Sequence, residues 1–92
     1  GCMEICKVHI ETSNDNIVNE IKIFDNPMEI NQYADSLNEQ KQIGKIKMYN
    51  MHMLLESDIK SMKAEEVLKL MPLESFIKLI KYLLREPTIK TF

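Results

Sequence analysis

The 92-residue sequence predicts a single small α+β domain, residues 1–92, with its elements in the order ββαβαα. In this arrangement a β-hairpin and a third strand form a small antiparallel sheet, and one face of that sheet packs against about three helices. Three observations support it. Alternating apolar positions flank a cluster of turn-forming residues in the first 25 positions, a helix-period segment is punctuated by Pro27 and Gly44, and a broad apolar helical stripe lies between Pro72 and Pro87. With 45% hydrophobic and 28% charged residues, the composition is that of a globular domain rather than a disordered or fibrous chain. A chain of this size buries only about 60% of its unfolded surface, so a partner or a second copy would add much to its stability.

In the first segment, MEICKVHIET (3–12), Cys6, Val8 and Ile10 alternate with Lys7, His9 and Glu11, as a half-buried strand requires. SNDN (13–16) gathers four turn formers, and IVNEIKIFD (17–25) follows as the second strand, with Ile17, Ile21 and Ile23 on one side. In the first helix Asn26 serves as N-cap, Pro27 as first helical residue and Gly44 as C-cap glycine, while Ile30, Tyr33, Ala34 and Leu37 form its apolar stripe.

KIKMYNMHMLLES (45–57) is ambiguous, because methionine and leucine also suit a helix. We expect a third strand here, since Gly44 has just ended a helix and two strands alone are unstable. Alternation then puts Ile46, Met48 and Leu54 on one side and Tyr49, Met51, Met53 and Leu55 on the other. Ser57, Asp58 or Ser61 caps a following helix in which Ala64, Val67, Leu68 and Met71 share a face. Pro72 opens a last helix running to Glu86, whose apolar face is expected to bury Ile77, Ile80 and Leu84, and a short PTIKTF tail follows. On its polar side Glu74 stands four residues before Lys78, the spacing of a helix-stabilising pair.

Charge is unevenly spread. Residues 1–40 carry two lysines against eight carboxylates, a balance of −6, whereas residues 41–92 carry ten bases against six acids, a balance of +4. No run approaches the ~18 apolar residues of a membrane span, and the first residues show no basic stretch leading into an apolar core. A cytoplasmic protein without membrane contact is expected. Cys2, Cys6, His9 and His52 are the only soft-ligand set. On a strand, however, Cys2 and Cys6 would lie about 13 Å apart at ~3.3 Å per residue, and zinc needs its ligands within ~2.0–2.3 Å of one point. Glycine occurs only at Gly1 and Gly44, and neither a nucleophile elbow nor a phosphate-cradling loop is present. No metal, no cofactor, no catalytic residue and no enzymatic activity are therefore expected.

The sequence is read as a non-catalytic protein–protein interaction module or small regulatory binding protein. Its partner is another protein or itself, as a homodimer. A third strand that is apolar on both sides should be covered twice, and methionine adapts to surfaces that are also exposed for part of the time. The partner contacts are accordingly Tyr49, Met51 and Met53. The runner-up is a nucleic-acid-binding regulator that would touch phosphates with Lys78, Lys81 and Arg85, on the polar side of the last helix. A third reading takes the acidic N-terminal half as a nucleic-acid mimic that inhibits a binding protein.

Overall fold

The computed structural model describes residues 3–85. Strands β1 (Glu4–Thr12) and β2 (Ile17–Phe24) are followed by helix α1 (Pro27–Gln42), strand β3 (Ile46–Leu54) and three helices, α2 (Glu56–Lys60), α3 (Ala64–Leu68) and α4 (Leu73–Leu83). The sheet is antiparallel with order β2-β1-β3, so the first strand is central. The hairpin closes as the turn residues demand: Thr12 N donates to Asn16 O at 2.9 Å, Asn16 N donates to Thr12 Oγ1 at 3.0 Å, and Asp15 takes the left-handed conformation with φ 66°. PTIKTF lies outside the described residues.

Residues directly opposite one another on antiparallel strands point to the same face. Cys6 faces Lys22 and Val8 faces Glu20, whereas Ile5 faces Ile23 and Lys7 faces Ile21. The apolar sides of β1 and β2 thus lie on opposite faces, and the sheet needs cover on both. Helix α1 covers one face, where Cys6, Val8, Phe24, Leu37 and Ile46 are buried. Helices α2, α3 and α4 cover one end of the other, burying Ile5, Ile21, Ile59, Val67, Met71 and Leu79. This corrects the expectation that only one face is packed.

Both ends of α1 follow from its punctuation. Glu29 N donates to Asn26 Oδ1 at 3.0 Å, and Glu29 Oε2 accepts from Asp25 N at 2.8 Å. At the other end Lys45 N donates to Gln40 O at 2.9 Å and Gly44 N to Lys41 O at 3.2 Å, a Schellman pair that needs the φ of +80° found at Gly44. The helix packs through Leu37 and through Tyr33, whose ring lies 5.7 Å from that of Phe24.

Burial and the neighbouring Glu20, to which the Tyr33 hydroxyl donates at 3.3 Å, push the Tyr33 phenol from 10.0 up to about 12. The folded state keeps this proton to about 12 while the unfolded chain releases it near 10, so the contribution is intact below pH 10 and is lost as pH rises from there towards 12. One of three tyrosines should titrate late by ultraviolet absorbance, and Tyr33→Phe should remove that late phase and flatten the stability loss above pH 10.

The second half departs from expectation in three places. The helix expected around residues 58–71 is two five-residue helices, α2 and α3, and only Val67 and Met71 of its expected face are buried, while Ala64 and Leu68 are exposed. Asp58 acts from inside α2, its Oδ2 accepting from Leu55 N at 2.8 Å. In α4 the fully buried residue is Leu79, flanked by partly buried Phe76 and Leu83; Ile80 is half-buried, whereas Ile77 is 46% and Leu84 74% exposed. The short helices meet α4 along the Phe76–Leu79–Leu83 line, so the rest of its wide apolar arc stays outside the contact. Finally, a register shift where β3 meets Glu11 and Thr12 moves Ile46 onto the α1 side. Ile46 therefore packs with Tyr49 and Met51, not with Leu54, which belongs to the other cluster.

Candidate functional site

Strand β3 is an edge strand, and register fixes which of its backbone groups face outward. Ile21 N donates away from the sheet, to Leu70 O at 2.8 Å. The pair Lys7–Ile21 is therefore a non-hydrogen-bonded one, and Lys7 turns its N–H and C=O towards β3, opposite His52. By alternation Met48, Asn50, His52 and Leu54 bond to β1, whereas Tyr49, Met51 and Met53 direct their N–H and C=O to the open side. Among the described residues no backbone bond closes that side of residues 48–54, while the other edge is closed in part by Leu70 on Ile21.

The same three residues send their side chains onto the α1 face, where they line a groove of about 530 Å³. Its far wall is α1, through Ile30, Ala34, Asn38 and Lys41. The Tyr49 hydroxyl donates to Asn38 Oδ1 at 2.8 Å, fixing the ring; Met51 is half-buried and Met53 is 46% exposed. The sequence singled out these three positions as partner contacts of a two-faced strand, without foreseeing a groove. It gave no sign of the helix wall, because Asn38 and Lys41 lie beside the apolar stripe of α1 and become wall residues only once the sheet is in place. Part of the covering expected from a partner is thus supplied by α1 itself.

On the reverse face, beyond the helices, the sheet is open and polar. His9 Nδ1 is 2.8 Å from Asn19 Oδ1 and His9 Nε2 is 3.5 Å from Glu11 Oε2. His9 and His52 belong to this face and Cys6 to the α1 face, so the sheet itself separates the thiol from both imidazoles. Burial pushes the Cys6 thiol up, against a smaller lowering by the His52 backbone. Cys2 lies outside the described residues. No cluster of three or more His, Cys, Asp or Glu side chains able to hold a metal occurs among the described residues, and no helix among them is long and apolar enough to cross a membrane.

The three cations expected on the polar side of the last helix do not form one open strip, and Arg85 lies beyond the end of α4. Lys78 Nζ lies 3.1 Å from Asp25 Oδ1 rather than reaching back to Glu74, and Arg85 is 2.8 Å from Glu56 Oε1 while its guanidinium stacks 3.8 Å from the Tyr82 ring centre. The hydrogen bond from Arg85 holds the Glu56 carboxyl below its ordinary range. Lys81 is exposed. In the acidic half, Asp15 likewise pairs with Lys47. A second groove, about 390 Å³ and nearly all apolar, runs between α2, α3 and α4 past Met62, Phe76, Ile80 and Leu83. The chain matches no protein-family model, no curated protein and no solved structure.

Proposed function

We propose that this chain is a non-catalytic protein-interaction module that receives a protein partner, in the first instance a second copy of itself, along β3 and the groove beside it. The observation that carries the reading is the coincidence on Tyr49, Met51 and Met53 of two features: outward-directed backbone donors and acceptors, and side chains lining the groove. An added strand gains affinity from the first and selectivity from the second. Uncovered edges of this kind are usually blunted by charge, proline or a bulge. Here the bulge sits at the Lys47 end, and residues 48–54 contain neither proline nor Asp, Glu, Lys or Arg.

The nucleic-acid readings receive less support, since Lys78, Arg85, Asp25 and Asp15 are engaged within the chain. Sedimentation equilibrium over a hundredfold concentration range, with the mass rising towards that of a dimer, is the expected result. A monomer mass throughout would remove self-association, and salt-sensitive binding of duplex DNA that requires Lys78 and Lys81 would put the runner-up in its place.

A further inference from the structure

We infer that two copies join by antiparallel pairing of β3 with β3 about a two-fold axis at Met51, giving one continuous six-stranded sheet; this rests on the self-association proposed above. An isologous contact requires the same strip on both copies, so each candidate register is defined by the residue on the axis. Outward-facing residues must pair with outward-facing residues. An axis at Met51 meets this along the whole regular part of β3, pairing Met51 with Met51 and Tyr49 with Met53 in each direction, each such pair exchanging two hydrogen bonds. An axis at Asn50 would instead bring Lys47, in the irregular part of the strand, opposite Met53.

Side-chain matching selects the same register. With the axis at Met51, Asn50 stands opposite His52 of the second copy, and Met48 stands opposite Leu54, so polar meets polar and apolar meets apolar on the reverse face. On the groove face the Tyr49 ring meets the Met53 thioether, a favourable sulfur–aromatic contact. Moving the axis to Asn50 sets Met48 against His52 and loses this match. No like charges oppose one another in the Met51 register. Antiparallel pairing also carries the exposed Lys45 of each copy towards the start of α2 in the other, where exposed Asp58, whose carboxylate makes a local capping bond to Leu55 N, adds a complementary charge.

Cross-linking tests the register. Asn50→Cys and His52→Cys are each made in a Cys2→Ser background; both positions lie on the exposed reverse face, away from buried Cys6. Directly opposed residues of a non-hydrogen-bonded pair have Cα atoms ~4.5 Å apart, within disulfide reach, whereas diagonal neighbours at ~7–8 Å lie outside it. After oxidation of the mixed variants, the 50–52 hetero-dimer should dominate, with little disulfide from either variant alone. A sedimenting dimer in which Asn50→Cys or His52→Cys links chiefly to itself overturns the Met51 axis, and one that forms no disulfide in any combination overturns strand pairing; in both cases self-association stands. Monomeric mass at every concentration overturns both.

Discussion

Leu79→Ala is expected to lower the stability of the fold by about 3 to 5 kcal/mol, a large share of the ~5 to 15 kcal/mol available to a domain of this kind. Leu79 is fully buried at the centre of the cluster formed by Ile5, Ile21, Ile59, Val67 and Met71, where β1, β2 and the short helices converge on α4. Truncation there loses burial and leaves a cavity that the surrounding strands and helices cannot both move to fill. Ile77→Ala, on the same helix but 46% exposed, should cost at most about 1 kcal/mol. Urea denaturation midpoints of the two variants measure the difference, and equal midpoints would mean that α4 is not docked through Leu79.

Met51→Asp should raise the dissociation constant of the proposed dimer by roughly a hundredfold or more while leaving the monomer folded. On the axis the substitution sets two carboxylates against each other in a partly desolvated seam, and like-charge juxtaposition at an interface costs several kcal/mol, with each 1.4 kcal/mol worth about tenfold in affinity. In the monomer the same side chain is half-buried where the groove borders the α1-side core, so the substitution should cost some stability and still leave a folded chain. Sedimentation equilibrium reads the first effect and circular dichroism the second. A variant that remains dimeric would place the interface elsewhere, with the apolar groove of α2, α3 and α4 the next surface to examine.

Local signals in the sequence carried the fold a long way. The hairpin, α1 with both of its caps, and the strand at residues 46–54 follow from turn residues, capping residues and alternation that act over a few positions. What was not legible depended on contacts between distant segments. The apolar sides of β1 and β2 look like one surface until their register shows that Ile21 lies opposite Lys7 and not opposite an apolar residue of β1, which puts the two sides on opposite faces. Periodicity gave α4 a wide apolar arc, but which part of it is buried depends on where α2 and α3 press, and that contact selects Leu79 over Ile77 and Leu84. The basic strip is an arrangement on one helix; Asp25 and Glu56, which engage Lys78 and Arg85, come from positions 53 and 29 residues away in sequence.

The candidate site divides in the same manner. Tyr49, Met51 and Met53 were identifiable from a strand apolar on both sides, yet the outward direction of their backbone groups came only from the Ile21–Leu70 bond and the pairing register. That direction makes the central claim measurable residue by residue. Amide hydrogen exchange at low and high protein concentration separates the two classes of β3 amide. Asn50 and His52 should be protected at both concentrations, because they bond to β1, while Tyr49, Met51 and Met53 should exchange fast when dilute and slow markedly when concentrated. Exchange at those three amides that stays fast at concentrations where the chain sediments as a dimer would contradict pairing through β3.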